Sequence, residues 1–409
     1  MAAAAQDRVR TLDLIRGVAV LGILAVNICG FASAESALHS PDLPRPGSPA
    51  DHLAFAFTVV LFDGKMRALF SLLFGASMVL FIDRVEAAGR DGTRLQFRRL
   101  GWLLLLGYLH FALLWDGDIL FLYGLIGLVA LGFSRASVTH KLIAAVLALG
   151  LWQASSTAMW YPALAQETAV RAGNAGPALI KAQSEVIEGY RRQDSKRQAE
   201  ALSPWTGEIA IRMADRPAYP LQLALYNWGE TLSYMLAGMA LLQTGFFAGT
   251  WPVRRLRIVA GAGLALGGGA GLALVLWGQS AGYPETAMRY WLGYGLAFPR
   301  LFMALSYAAL IVLAAPRLLV LAIGQRLEAA GRMAFSNYIG TSLVMTGLFH
   351  GWGLGWFGQY GAAGRWLFVV LGWGLMLAWS KPWLARFRQG PLEWLWRSLT
   401  EWQLLPLRR

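Results

Sequence analysis

Apolar residues in this chain gather into long runs separated by short polar connections. Ten runs approach or reach the length of a bilayer crossing, at 12–31, 53–82, 100–115, 119–133, 142–160, 221–247, 258–277, 290–313, 333–350 and 366–383. The pattern predicts an all-α fold: a polytopic membrane helix bundle of about ten transmembrane helices with a helical extracytoplasmic cap. The run at 53–82 is too long for one straight crossing and is broken by charge at Asp63-Gly64-Lys65-Met66-Arg67, so a bent helix is expected there.

Charge alternates along the connections. One set carries Arg8 and Arg10, then Arg84, Arg90, Arg94, Arg98 and Arg99, then Arg135 and Lys141. It continues with Arg254, Arg255 and Arg257, then Arg317, Arg326 and Arg332, and ends in the basic tail from Lys381. The short connections of the other set carry few basic residues, Arg45 and Arg289 among them. Positive residues remain on the cytoplasmic side, which predicts both termini inside. The net charge of +13 is thereby read as a topology signal and not as a nucleic-acid footprint. A composition of 56% hydrophobic and 14% charged residues fits the same reading. Cys29 is the lone cysteine, which excludes an internal disulfide framework and suits a small buried hydrophobe. Ala32-Ser33-Ala34 has the small-residue pattern of a signal-cleavage site, and the preceding run is nevertheless expected to stay as a membrane helix.

The whole chain, 1–409, reads as one membrane domain with two additions. The connection at 161–220 has helical apolar spacing from Leu179 to Tyr190 and is too short for its own core, so a helical cap on the outer mouth is expected. The segment at 390–403, beginning Gly390-Pro391-Leu392-Glu393-Trp394-Leu395-Trp396-Arg397, reads as an amphipathic helix at the cytoplasmic interface. Gly263, Gly267 and Gly271, four apart, offer a face for close helix packing.

Ionisable groups inside the runs are the candidates for chemistry, because each is costly in hydrocarbon unless paired or facing a polar cavity. Asp13 and Arg16 stand one turn apart and can neutralise each other. Arg16 and Asn27 share a helix face about 16 Å apart. The turn Trp115-Asp116-Gly117-Asp118 joins two short runs and is expected below the outer surface, in one cavity with His110 and Asn27. Lys65 and Arg67 are read as an anion site or as snorkelling cations, with snorkelling favoured for Arg67. Glu230 and Arg300 are read as an inter-helix pair or as substrate contacts. His39, His52, His110 and His350 fall toward the outer side without the spacing of a metal motif, so no metal is expected.

Arg10-Thr11-Leu12-Asp13-Leu14-Ile15-Arg16-Gly17 with Asn27, and Lys65 with Phe70-Ser71-Leu72-Leu73-Phe74-Gly75, resemble the YeiB-like family of bacterial inner-membrane proteins. So do Gly107-Tyr108-Leu109-His110, Trp115-Asp116-Gly117-Asp118-Ile119-Leu120, Gly331-Arg332-Met333-Ala334 with Asn337-Tyr338, and the Gly390–Arg397 motif. That family in turn resembles the transmembrane acyltransferase superfamily more distantly. The resemblance implies a bacterial inner-membrane location and transfer of an acyl group from cytoplasmic acyl-CoA, acetyl-CoA first, to an extracytoplasmic small-molecule or glycan acceptor. Glycan acylators of the superfamily carry an Arg followed eleven positions later by a catalytic His. Arg16 matches the first position, and Asn27 stands at the second as in the lysosomal branch. That branch places a His shortly after the Asn, where His39 is one position out of register.

On this reading His110 is the general base, with His39 as the alternative. Asp118 or Asp116 steadies it, and Asn27 donates to the developing oxyanion. Arg16 and Lys65 hold the co-substrate, and Arg300, Glu230 and His39 meet the acceptor. Membrane lipid is the expected surrounding, with no nucleic-acid partner and room for a homo-oligomer. The competing classes are a small-molecule transporter or exporter without covalent chemistry, and a non-catalytic membrane partner protein.

Overall fold

A computed structural model describes residues 2–409, with side chains from Arg10 onward; Arg8, counted above among the basic residues, lies outside the described side chains. Its helices are α1 (Ala2–Ala32), α2 (Pro49–Leu61), α3 (Lys65–Ala87), α4 (Gly92–Leu113), α5 (Leu120–Leu131), α6 (Val138–Arg171), α7 (Pro177–Ala201), α8 (Trp205–Asp215) and α9 (Tyr219–Gln243). They continue with α10 (Val253–Gly263), α11 (Gly269–Ala281), α12 (Glu285–Tyr290), α13 (Ala297–Leu318), α14 (Ala322–Arg332), α15 (Ala334–Phe349), α16 (Ala362–Arg386) and α17 (Pro391–Glu401). Short π segments join α10 to α11 and α12 to α13.

Every predicted apolar run is occupied by helix. Among the described residues six stretches are long and apolar enough to cross a membrane unaided: Arg10–Ala32, Pro49–Ala87, Val138–Arg171, Val253–Ala281, Ala297–Leu318 and Ala362–Arg386. Helices α5 and α15, with 12 and 16 residues, fall short of a crossing and lean on their neighbours. Helix α9 lies at the centre of the bundle, with every residue from Gly229 to Ala240 buried. It meets α3 backbone to backbone. A Cβ at Gly75 would stand 1.9 Å from the Met235 carbonyl oxygen, and one at Gly238 would stand 1.8 Å from that of Leu72. Only glycine permits that approach.

The expected bend falls between α2 and α3, where Gly64 takes a left-handed φ of 67°. The connections gather at two ends of the bundle. At the basic end Arg135 reaches Glu86, Arg90 pairs with Glu401, Arg10 with Glu328, and the Trp396 indole donates to the Arg99 carbonyl. Helix α17 packs against α4 and α15 at this end. At the other end α7 and α8 form a cap. Helix α6 runs beyond the expected end of its run, through Pro162 to Arg171, and Glu167 near its tip accepts the backbone N–H groups of Thr286 and Ala287 at the start of α12.

Candidate functional site

Two buried polar layers hold most of the residues singled out from the sequence. The first surrounds the α4–α5 turn at the capped end. Helix α4 delivers His110, and the turn returns Asp118 to within 2.8 Å of its Nδ1. The other carboxylate oxygen of Asp118 accepts the Phe121 N–H at 2.8 Å and so caps α5. An Nδ1–H donated to Asp118 leaves the Nε2 lone pair free, and Nε2 is buried without a hydrogen-bond partner. The Tyr338 ring from α15 packs 5.2 Å from the imidazole, and its hydroxyl accepts the Ile119 N–H at 3.3 Å.

Asp116 departs from expectation. It does not join His110 but turns to the cap, where Arg197 of α7 donates at 2.6 Å and Arg216 at 3.0 Å. Glu200 links Arg216 to Arg212, whose guanidinium also donates to the Phe111 carbonyl at 2.7 Å. The turn is therefore buried because the cap roofs it. Asn27 is half-buried on α1, one turn beyond Ile23 and one turn before Gly30. Gly30 and Phe31 hold that part of α1 against Trp115, whose indole donates to the Gly30 carbonyl at 3.4 Å. Asn27 stands about 4.5 Å along the helix axis from that contact.

The second layer lies at the α2–α3 bend. Arg300 of α13 bonds Asp63 at 3.0 Å and Glu230 of α9 at 3.3 Å. Glu230 also receives Arg67, which donates to Asn227 at 2.8 Å as well. Arg67 therefore points into the bundle and does not snorkel, because a buried carboxylate attracts it more strongly than the surface does. Glu230 and Arg300 form the inter-helix pair. Lys65 is buried beside them and donates to the Val59 carbonyl.

Arg16 is elsewhere. It pairs with Asp13 and donates to Ser77 at 2.8 Å. Ser77 and Lys65 are twelve residues apart on α3, about 18 Å along its axis, so Arg16 and Lys65 cannot hold one end of the same ligand group. Of the two residues expected to hold the co-substrate, Lys65 belongs to the second layer and Arg16 to neither.

Arg16 instead lines the mouth of a cavity of about 240 Å³ that opens at the basic end. Its inner walls are Val20, Ile23, Phe70, Leu73, Phe74 and Leu103, and its far end is closed by Ile119, Tyr123 and Tyr338. Charged side chains keep to the mouth: Arg16, Arg99, Arg332, Arg397 and Glu393. Glu393 is held by the Phe335 and Ser336 N–H groups at the start of α15, and burial pushes its carboxyl above the ordinary range against those bonds. Arg99 lies between the Phe81 and Trp396 rings, 4.1 and 4.4 Å from their centroids. Among the described residues Arg99, Arg332 and Arg397 pair with no carboxylate, so the mouth is cationic. The sequence marked Arg99 as a topology signal, and Arg332 and Arg397 also within family motifs, but nothing in their spacing shows that three helices bring them together. Tyr338 was visible only within a motif.

His39 sits beneath the cap, where burial and then the charge of Arg289 hold its pKa down at about 3. His52 pairs with Asp42 at 2.9 Å, and His350 with Glu208 of α8. Among the described residues no three His, Cys, Asp or Glu side chains are grouped to hold a metal ion.

An all-helical bundle with apolar crossings and buried ion pairs defines a polytopic membrane protein. The chain is 31% identical to the uncharacterized protein YeiB of Escherichia coli (strain K12), over 96% of both chains. It is 30% identical to the uncharacterized protein YxaH of Bacillus subtilis (strain 168), over 97% of this chain and 96% of that one. Residues 241–403 match the model of a protein family of unknown function, DUF418. The chain belongs to this YeiB-like, DUF418 family. No solved structure matches it significantly.

Proposed function

We propose that the protein is a transmembrane acyltransferase of the bacterial inner membrane, with its basic end and both termini in the cytoplasm. The single observation that carries this reading is the cavity: a cationic mouth, apolar walls, and a far end closed by Tyr338 against the buried His110–Asp118 pair. The basic residues of the mouth, facing the cytoplasm by the positive-inside rule, suit the phosphates of acyl-CoA. The apolar walls suit its extended arm and acyl group, and acyl-CoA supplies the thioester.

The chain's own residues have a defined task. Asp118 holds the His110 tautomer with Nε2 free and stabilises the imidazolium that forms. An acceptor hydroxyl or amine gives its proton to Nε2 while its oxygen or nitrogen bonds the acyl carbon. The carbon–sulfur bond breaks, and the thiolate leaves and takes up the proton. Asn27 is the candidate oxyanion donor, an interaction of about 3–4 kcal/mol where water is excluded. Tyr338 stands between His110 and the cavity, so its ring must shift for the acyl carbon to reach Nε2.

Purified protein in nanodiscs, given radiolabelled acetyl-CoA and an envelope extract, should transfer label to an acceptor. His110→Gln should slow transfer by about 10²–10⁴-fold. Calorimetry that finds no acyl-CoA binding to the intact protein would defeat this reading in favour of transport. Cysteines at Ala88 and Ser195, both exposed, should react from opposite sides of the membrane, and reaction from one side would remove the assignment of the mouth to the cytoplasm.

A further inference from the structure

We infer that the layer at the α2–α3 bend is a binding site for a small monoanion, a halide or a compact carboxylate, held by Lys65. The argument does not rest on acyl transfer.

Charge balance comes first. Three cations, Lys65, Arg67 and Arg300, face two carboxylates, Asp63 and Glu230. Both carboxylates are engaged by the arginines: Glu230 accepts from Arg67 and Arg300, and Asp63 from Arg300 at 3.0 Å. Lys65 is left over. It is only 1% exposed, and its ammonium donates to one backbone carbonyl, that of Val59. An ammonium carries three donors, and donors left unmet inside a bundle are a cost that a bound acceptor removes. Arg300, 2% exposed, adds a second unmet donor, because its Nε has no partner.

Space beside the ammonium comes second. Helix α11 passes Lys65 with a glycine: a Cβ built on Gly271 would stand 3.7 Å from Nζ and 3.3 Å from the Val60 Cα. A methyl on Gly271 would lie in contact with the ammonium and take up the space beside it. Gly64 makes room for the Arg300 guanidinium, which a Cβ there would strike. One negative charge at Lys65 neutralises the layer, and a compact anion asks for the least volume beside Gly271.

The test is thermal unfolding of detergent-purified wild type in sodium chloride, sodium formate and sodium gluconate at equal ionic strength. Gluconate is too bulky for an enclosed site and reports general salt effects. Chloride or formate, or both, should raise the midpoint by several degrees over gluconate. Which of the two does so separates a halide site from a carboxylate site. Lys65→Met should abolish the shift. Gly271→Ala keeps every charge and should weaken the anion response at least tenfold, which keeps the test open if Lys65→Met fails to fold. Wild type that responds equally to all three salts, as an uncharged Lys65 amine would, overturns the inference. A full response retained in Lys65→Met or in Gly271→Ala overturns it too.

Discussion

Asp116 and Asp118 stand two residues apart in one turn and serve different parts of the molecule. Asp118 bonds His110 inside the bundle, and Asp116 bonds Arg197 and Arg216 of the cap region. One turn therefore fixes the imidazole and anchors the roof above it.

The inner half of that relationship is testable as stability. Asp118→Ala leaves both the His110 Nδ1 and the Phe121 N–H without their acceptor. Each buried group so stranded costs about 1–3 kcal/mol. A clear drop in thermal midpoint is expected for Asp118→Ala, and a smaller one for Asp118→Asn, which keeps one acceptor oxygen. Equal midpoints for wild type and Asp118→Ala would contradict the pairing.

The outer half is testable as local opening. Asp116→Ala removes the carboxylate shared by Arg197 and Arg216, while Glu200 still holds Arg212 and Arg216. Hydrogen exchange should accelerate in α7 and α8 and remain unchanged in α3. Acceleration spread evenly through the bundle would mean that Asp116 supports the core and not the cap.

Glu230 joins two arginines from different helices. Glu230→Gln leaves Arg300 with Asp63 and deprives Arg67 of its carboxylate, and breaking such a buried pair costs about 3–5 kcal/mol. Replacing Arg67 with Met in the same chain should recover part of that loss, because fewer charges remain uncompensated. A double variant less stable than the single one would show that Arg67 contributes independently of Glu230.

His39 gives stability a pH dependence. Its pKa is about 3 in the fold against a reference near 6.5, so the unfolded chain binds the extra proton between those values. Stability must rise with pH across that window and fall as the solution is acidified from about 6.5 toward 3, by up to about 1.4 kcal/mol per unit from this group. His39→Gln should flatten the slope by up to one proton's worth. An unchanged slope would place the imidazole in water.

The sequence by itself determined the helices, their membrane character and the separation of basic from other connections. These follow from local composition: a run of apolar residues must satisfy its own backbone as helix, and charge counts along a connection need no partner to be read. The Asp13–Arg16 pair was equally legible, because one helical turn fixes it. The partner of His110 was half legible, since two carboxylates eight residues or fewer away were both candidates and only the path of the turn chose Asp118. Tertiary structure alone decided the rest. It sent Asp116 to a cap whose docking no spacing encodes, drew Arg67 inward to Glu230, and parted Lys65 from Arg16 along α3. It also gathered Arg16, Arg99 and Arg332 from three helices around one cavity. Asp116 and Arg67 went to the counter-charge that packing brought within reach, while Lys65 and the mouth arginines were placed by packing alone, and packing is set by backbone contacts such as Gly75 against Met235, far from the charges themselves.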